Sequence, residues 1–436
     1  FISLGCDKNL ADSETMLGLL ASRGYQIVDT EEDADVIIVN TCCFIHDAME
    51  ESIETILQMA EYKKSGSLKA LIVTGCMAER YREEITKEIP EVDAVLGTAS
   101  YGHILDAVDG ALAGQSYLKM EPLDTLPLVN THRMVTTGGH YAYLKIAEGC
   151  DKHCTYCIIP KLRGNFRSVP MEHLLREVKQ LADDGVKEII LVAQETTLYG
   201  KDLYGEKKLP ELLRRLCKIS GIRWIRILYC YPEEITEELI QTIKEEPKIC
   251  HYLDLPIQHA SDDVLKRMGR RTSKEELIHI ISRIREEIPD ITLRTTLITG
   301  FPGESKEQHE ELMDFVDEMA FGRLGVFTYS AEDGTPAAQM PDQVEESVKE
   351  ARRAELMELQ QEIAFDQAEQ MIGREVLVMI EGKVADENAY VGRTYKDAPN
   401  VDGLIFVNTD TELLSGDFAK VRVTGACEYD LIGELM

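Results

Sequence analysis

Cys150, Cys154 and Cys157 share one short segment, Gly149-Cys150-Asp151-Lys152-His153-Cys154-Thr155-Tyr156-Cys157, with the spacing C-x3-C-x2-C. Three thiolates on one tight loop suit a cubane [4Fe–4S] cluster, in which each thiolate binds a different iron. No fourth cysteine lies nearby in the chain, so the fourth iron would keep an open position for a small-molecule ligand. The alternative is zinc held by the three thiolates and the imidazole of His153, although a tetrahedral zinc knuckle ordinarily draws on two separated ligand pairs. Three more cysteines, Cys6, Cys42 and Cys76, are far apart in the chain but equivalent in position, since each comes just after a short apolar run. They suit a second three-thiolate site. Buried cysteines without a metal are the competing reading, and Cys43 beside Cys42 implies that one of that pair points away.

Such residues need a scaffold that gathers them. Phe1–Leu4, Val36–Val39, Ala70–Val73 and Val92–Leu96 read as strands, and Ala11–Ser22, Ala48–Lys64 and Arg80–Glu88 as helices between them. Strand–helix repetition of this kind predicts a small parallel α/β domain. Loops after the strands of a parallel sheet gather at one edge, which would bring Cys6, Cys42 and Cys76 together. Residues 111–139 lose the rhythm and read as a linker. Six further strands follow, Tyr143–Ala147, Glu188–Val192, Trp224–Leu228, Tyr252–Leu255, Thr292–Ile298 and Leu324–Thr328, with helical runs between them. They predict a parallel sheet curled into a partial (β/α)6 barrel, with an open sheet as the alternative and sites at the C-terminal strand ends. A helical run over residues 345–370 leads to short strands at Glu375–Ile380, Ala389–Thr394, Gly403–Val407 and Phe418–Thr424, a small antiparallel β-barrel. The expected fold class is α/β. The expected domains are 1–110, a linker 111–139, 140–345, a connecting helix 346–370 and a barrel 371–436.

The chain has 436 residues, enough for two to four domains, with 47 Lys plus Arg against 78 Asp plus Glu and a net charge of −31. A field of that sign works against nonspecific binding to phosphate backbones and favours a basic protein partner, with solubility alone as the plainer reading. Eleven cysteines in a chain without an export signal point to metals or catalysis in a reducing, cytoplasmic setting rather than to a disulfide scaffold. No apolar run approaches the length of a transmembrane helix. The opening residues already read as a strand, so a few residues are expected to precede Phe1.

The C-x3-C-x2-C loop after the first of six strand–helix units resembles the radical S-adenosylmethionine superfamily. The resemblance implies that the methionine amine and carboxylate chelate the open iron. An electron from the cluster then cleaves the sulfonium bond to give a 5′-deoxyadenosyl radical. It also implies that Tyr156 lies beside the adenine. Gln194 and Glu195 would contact the methionine amine, in a stretch Ala193-Gln194-Glu195 that departs from the usual Gly-Gly-Glu form. Ile298 and Gly300 would pack on the adenine. Leu4-Gly5-Cys6-Asp7-Lys8-Asn9, Asn40-Thr41-Cys42 and Thr74-Gly75-Cys76 resemble the N-terminal domain of methylthiotransferases, and the final barrel resembles the TRAM type. That likeness runs the length of the chain. It implies a second [4Fe–4S] cluster on Cys6, Cys42 and Cys76, with Cys43 a bystander. The likeness further implies that sulfide or a short polysulfide on that cluster is methylated by one S-adenosylmethionine and captured by a substrate radical made with a second.

Two substrate classes exist in the methylthiotransferase family, an aspartate of ribosomal protein S12 and adenosine of tRNA. The stretches Ala147–Asp151, Leu191–Gly200 and Tyr252–His259 look more like the S12 class; the last is shared more widely in the family and Gln194–Gly200 discriminates more, although Glu195 stands where the commonest form has Asp. This implies conversion of C–H to C–SCH3 at the β-carbon of an aspartate, on S12 alone or in the small ribosomal subunit, with an electron donor the sequence does not name. Charge agrees. Residues 371–436 hold 6 Lys plus Arg against 12 Asp plus Glu, whereas a tRNA-gripping barrel calls for a basic face. Lys161, Arg163 and Arg167 are candidates to neutralise the cofactor carboxylate or the target aspartate, with solvent-facing charge as the alternative. His259 is either a cofactor contact or a structural loop histidine. The loop Thr299–Glu304 lacks a P-loop lysine, which excludes a nucleoside triphosphatase. Leu265–Arg271 is the most basic patch and a candidate contact to S12 or ribosomal RNA.

Overall fold

Five strands open the chain, β1 (Ile2–Ser3), β2 (Val36–Thr41), β3 (Ala70–Gly75), β4 (Ala94–Leu96) and β5 (Tyr117–Lys119), and they pair in parallel in chain order. The structure is a computed structural model and describes residues 1–66, 68–129, 131–385 and 387–436. Val-Ile-Ile-Val in β2 and Ala-Leu-Ile-Val in β3 are continuous apolar runs because both faces of this sheet are covered. Ile37, Val39, Leu71, Val73 and Val95 meet Ile56, Met59 and Ala60 of the helix His46–Ser65 on one face. Ile38, Ile72, Ala94 and Leu96 meet Met16 and Leu20 of the helix Asp7–Ser22 and Ile104, Ala107 and Val108 of the helix Ile104–Leu112 on the other. The period of two along each strand makes this division. Within the stretch expected to be a linker, Tyr117–Lys119 adds the edge strand beside β4. Three residues carrying one apolar side chain between two half-polar ones are too short for periodicity to reveal.

By compactness the chain divides into two units. The first is Phe1–Thr136, Lys145–Leu174 and Glu332–Thr335; the second is Thr137–Leu144, Leu175–Ala331 and Pro336–Met436. Downstream of the first sheet, β6 (Tyr141–Lys145) leads to β7 (Ala147–Glu148), and β7 pairs antiparallel with β8 (Arg167–Ser168) to frame the loop of residues 149–166 in the first unit.

In the second unit, β9 (Glu188–Val192), β10 (Trp224–Ile227), β11 (Ile249–Asp254), β12 (Thr292–Thr299) and β13 (Arg323–Thr328) pair in parallel, and β6 flanks β9. The order follows the chain without reversal, as in a partial barrel and unlike a doubly wound sheet. Ser273 with Glu276, and Ser305 with Gln308, form capping boxes that start the helices Lys274–Glu287 and Lys306–Met319.

The helix Glu346–Glu369 leads to a closed barrel in which β14 (Glu375–Lys383), β15 (Ala389–Arg393), β16 (Ile405–Asn408), β17 (Phe418–Cys427) and β18 (Asp430–Leu435) are ordered β14-β15-β16-β18-β17. The closing strand β18 is absent from the sequence expectation because Gly433 interrupts its apolar pattern. That glycine is required by a close approach, since a Cβ there would lie 2.4 Å from Val421 Cγ1. A buried ionic set ties barrel to sheet. Glu188 Oε1 accepts from Arg226 Nε at 2.8 Å and Glu188 Oε2 from Arg393 Nη2 at 2.7 Å, while Tyr252 donates to Asp402 at 2.7 Å. Among the described residues no helix is long and apolar enough to cross a membrane.

Candidate functional site

All six candidate cluster cysteines fall in the first compact unit. Cys6 caps the N-terminus of the helix Asp7–Ser22, Cys42 comes directly after β2, and Cys76 opens the helix that comes directly after β3. Since β1, β2 and β3 are adjacent and parallel, the three cysteines leave the same edge of the sheet. Two glycines permit the close approach. A Cβ on Gly5 (φ +86°) would sit 2.7 Å from Cys42 Cβ, and one on Gly75 (φ +93°) 2.5 Å from the Thr41 carbonyl oxygen. Polar side chains pin the loops. Asn9 donates to the carbonyls of Leu4 and Thr41, both at 3.0 Å, and Asn40 to the Asn9 carbonyl and Ser13 Oγ, both at 2.9 Å. Ser52 holds Cys42 at both ends of its backbone, accepting from its N–H at 3.0 Å and donating to its carbonyl at 2.8 Å.

Burial pushes the Cys42 thiol up to about 12, and the neighbouring Cys76 and Cys6 push it further the same way. Cys76 is raised by burial and by Cys6, against the opposing pull of Arg163. Burial and thiolate–thiolate repulsion make the positions of Cys42 and Cys76 poor ones for free thiolates and good ones for metal, whose positive charge offsets both. Cys43 is fully buried and belongs to the apolar cluster of Ile37, Val39, Ile56 and Leu71.

The triplet Cys150, Cys154 and Cys157 lies on the loop between β7 and the helix Ile159–Arg163. The loop closes on its own far end: Cys150 N–H donates to the Gly164 carbonyl at 3.1 Å, Phe166 N–H to Asp151 Oδ1 at 3.0 Å, and Cys157 N–H to the Cys154 carbonyl at 3.0 Å. Gly149 (φ +79°) has no room for a side chain, since its Cβ would fall 2.1 Å from the Asn165 carbonyl oxygen. Cys150 and Cys154 are buried and Cys157 half-buried. Burial raises the Cys157 thiol to about 12, with Cys154 and Cys150 adding repulsion. His153 is exposed and at φ +52°. Among the described residues no three His, Cys, Asp or Glu side chains converge as ligands of one metal ion do. A cubane, whose thiolates bind different irons, does not ask for that convergence.

The two cysteine sets are joined by a buried polar network that sequence reasoning missed. Arg163 Nη1 lies 3.0 Å from both Asp12 Oδ2 and Glu148 Oε2, and its Nη2 donates to Asn9 Oδ1 and approaches Cys76 Sγ at 3.6 Å. Lys145 shares the same two carboxylates, reaching Glu148 Oε2 at 2.8 Å and Asp12 Oδ1. Arg163 and Arg167 are therefore not surface charges. Arg167 Nη1 donates to the Arg163 and Asn165 carbonyls at 3.1 and 2.5 Å. Lys161 is exposed and donates to the Gly334 carbonyl at 2.6 Å.

Tyr156 is half-buried on the loop of the first unit, whereas Gln194, Glu195, Ile298 and Gly300 belong to the second. Gln194 and Glu195 come after β9. Glu195 is fully buried and its Oε1 accepts from Thr197 N–H at 3.0 Å. Ile298 is half-buried on β12, and Gly300 (φ +70°) has Lys349 Cγ where a Cβ would be, at 2.3 Å. His259 is fully buried and structural in its contacts: Nδ1 accepts from Ser261 N–H at 2.9 Å and Nε2 lies 3.6 Å from Glu304 Oε2. The basic patch Leu265–Arg271 is divided, with Lys266 and Arg271 exposed while Arg267 and Arg270 turn inward. Arg267 donates to the Pro302 carbonyl at 2.8 Å, and Arg270 donates to that of Pro256 at 3.1 Å and lies 4.2 Å over the Tyr231 ring. Part of the acidic excess in residues 371–436 is likewise internal, because Glu381, Asp397 and Asp402 pair with Arg393, Arg323 and Arg294.

Three family models match: Uncharacterized protein family UPF0004 over residues 1–97, the Radical SAM superfamily over 144–316 and the TRAM domain over 372–436. Three curated relatives bear the name ribosomal protein uS12 methylthiotransferase RimO. The one from Lachnoclostridium phytofermentans is 66% identical, over 99% of this chain and 98% of the relative. The one from Clostridioides difficile is 49% identical over 100% and 98%, and the one from Clostridium perfringens 51% over 99% and 96%. Among solved structures, the radical S-adenosylmethionine methyltransferase TsrM from Kitasatospora setae aligns with a TM-score of 0.54 at 12% identity, over 75% of this chain and 73% of that one. The cobalamin-dependent S-adenosylmethionine radical enzyme OxsB aligns with a TM-score of 0.51 at 13% identity, over 80% and 53%. These two likenesses concern the fold alone.

Proposed function

The chain belongs to the family of ribosomal protein uS12 methylthiotransferases, and from that premise we propose how its residues divide the work. It is a radical S-adenosylmethionine enzyme that uses iron–sulfur chemistry and acts on ribosomal protein uS12. The observation that carries this reading is 66% identity to a uS12 methylthiotransferase along nearly the whole of both chains. Cys150, Cys154 and Cys157 hold the [4Fe–4S] cluster that engages S-adenosylmethionine, and Cys6, Cys42 and Cys76 hold a second [4Fe–4S] cluster that takes sulfide or polysulfide as the sulfur source. When bound, these groups supply the radical and sulfur chemistry needed to convert C–H to C–SCH3 at the β-carbon of an aspartate, which no side-chain base performs at neutral pH.

The chain's own residues bind, orient and exclude water. Tyr156, Gln194, Glu195, Ile298 and Gly300 contact S-adenosylmethionine. Asn9, Asn40 and Ser52 fix the loops that carry Cys6 and Cys42. Burial of Cys42, Cys76, Cys150 and Cys154 keeps water from the thiolates. Residues 1–110 carry the second cluster, 140–345 the radical chemistry and 371–436 substrate contact. The net charge of −31 suits a basic ribosomal protein, and a ribosomal substrate puts the enzyme in the cytoplasm. A low-potential electron donor completes the system.

The test is intact-mass analysis of uS12, free and in the small subunit, after anaerobic incubation with reconstituted enzyme, reductant, sulfide and S-adenosylmethionine. The expected product is uS12 heavier by one methylthio group in place of hydrogen. A methylthio group on tRNA adenosine with none on uS12 overturns the assignment.

A further inference from the structure

Arg163 lies six residues beyond Cys157, on the short helix that comes directly after the first cluster loop, yet its guanidinium ends 3.6 Å from Cys76 Sγ of the other triplet. Nothing about the position is loose. Asp12 and Glu148 each hold Nη1 at 3.0 Å, Asn9 accepts from Nη2, and the side chain is 2% exposed. The two carboxylates are also bound by Lys145, so two cations and two anions cancel in charge. A bare arginine buried to satisfy two carboxylates has no reason to spend its second terminal nitrogen on an asparagine and a thiol.

The geometry points to Arg163 as a positioning residue that tunes the second cluster: its N–H donates to the Cys76 sulfur and raises the reduction potential of the group bound by Cys6, Cys42 and Cys76. A hydrogen bond from a cationic donor withdraws electron density from a ligating sulfur. It therefore favours the reduced, more negative state of the cluster, and such bonds are among the settings of cluster potential. Asp12 and Glu148 fix the guanidinium, Asn9 aims it, and Lys145 keeps the carboxylates from neutralising it. The link also ties the position of Cys76 to the chain segment that carries the other cluster. The inference rests on the proposed assignment of cysteines to clusters.

The experiment uses the anaerobically reconstituted full-length enzyme with Arg163→Lys and Arg163→Gln variants. Reduction is followed by electron paramagnetic resonance against applied potential. S-adenosylmethionine perturbs the signal of the cluster it binds, so the insensitive signal belongs to the second cluster. Lysine keeps the charge for Asp12 and Glu148 but is too short and too simple a fork to serve Cys76 as well. Both variants are expected to shift the insensitive signal to more negative potential, to leave the sensitive signal where it was, and to keep their iron content. An unchanged potential at full iron content in Arg163→Lys overturns the inference. Failure of the underlying assignment reads differently: a Cys6→Ala, Cys42→Ala, Cys76→Ala triple variant that loses no iron removes the second cluster itself from the account.

Discussion

Alanine at Gly5 tests whether the first sheet edge is built around Cys42. Gly5 sits at φ +86°, where a Cβ would lie 2.7 Å from Cys42 Cβ and 2.9 Å from its Sγ. The left-handed backbone costs an L-residue about 1–2 kcal/mol. Rotating the cysteine side chain moves Sγ but leaves the Cβ–Cβ contact untouched, so relief must come from backbone. That backbone is held on one side by the two hydrogen bonds of Ser52 to Cys42, at 3.0 and 2.8 Å, and on the other by the helix beginning at Asp7. Overpacking of this kind adds about 1–3 kcal/mol, so the ligand geometry is disfavoured by roughly 2–5 kcal/mol in all. Gly24 supplies the control, since it has φ +92° and nothing within 4 Å of its Cβ position; Gly24→Ala carries the backbone cost without the collision. After anaerobic reconstitution the wild type and Gly24→Ala should bind about eight irons per chain, and Gly5→Ala close to about four. Gly5→Ala should still cleave S-adenosylmethionine reductively, and its thermal unfolding should match that of Gly24→Ala to within the collision cost. A Gly5→Ala enzyme with its full iron and undiminished methylthio transfer would refute the close-packed cysteine edge.

Cys76→Ala should abolish methylthio transfer while reductive cleavage of S-adenosylmethionine, read as methionine release, survives; loss of both would mean the two triplets do not divide the chemistry. Cys154→Ala should abolish cleavage itself, and persistent cleavage would show the radical cluster to be elsewhere. Glu188→Gln leaves Arg226 and Arg393 without their shared buried carboxylate and should destabilise the second unit by roughly 3–5 kcal/mol in urea unfolding at pH 7. Burial pushes the Glu188 carboxyl up, but Arg393 and Arg226 outweigh it and hold the group below the usual carboxylate value. Its stabilisation is therefore complete above the unfolded value of about 4.3 and lost as pH falls through the lower folded value. The gap between wild type and Glu188→Gln should close in that acid window, and a gap independent of pH would sink the argument.

What could be read from sequence depended on how local the cause was. The loop Gly149–Cys157 and the strand ends before Cys6, Cys42 and Cys76 were legible because cysteine spacing and apolar runs are properties of a few consecutive residues. The first helix was read from Ala11, yet it begins at Asp7, because Lys8, Asn9, Asp12, Ser13 and Glu14 are polar and buried. Hydrophobic periodicity treats such a turn as solvent-facing. Arg163 was legible as a candidate charge beside the cysteine loop but its buried network was not: its partners Asp12 and Asn9 are 151 and 154 residues away, and no local pattern distinguishes such a position from that of a surface arginine. The strand β18 was hidden by Gly433, a residue whose absence of side chain is what lets the barrel close.

The compact division of the chain bears on how the chemistry is kept in register. Lys145–Leu174, which by strand–helix rhythm belongs with the six-stranded sheet, packs by contact with Phe1–Thr136. Both cysteine triplets, the Asp12–Lys145–Glu148–Arg163 network and the Arg163–Cys76 contact are therefore internal to one unit. Coordination tolerates little displacement of a ligand, and a core packed at crystal-like density transmits little strain before it breaks. Holding the six thiols inside one such core sets their separation by the packing of that core rather than by the orientation of a neighbouring domain. The buried charges serve the same end: separating the Lys145–Leu174 segment from the helix Asp7–Ser22 would expose Asp12 and Asn9 on one side and strand Arg163 and Lys145 on the other, a cost of several kcal/mol that resists any drift between the two triplets.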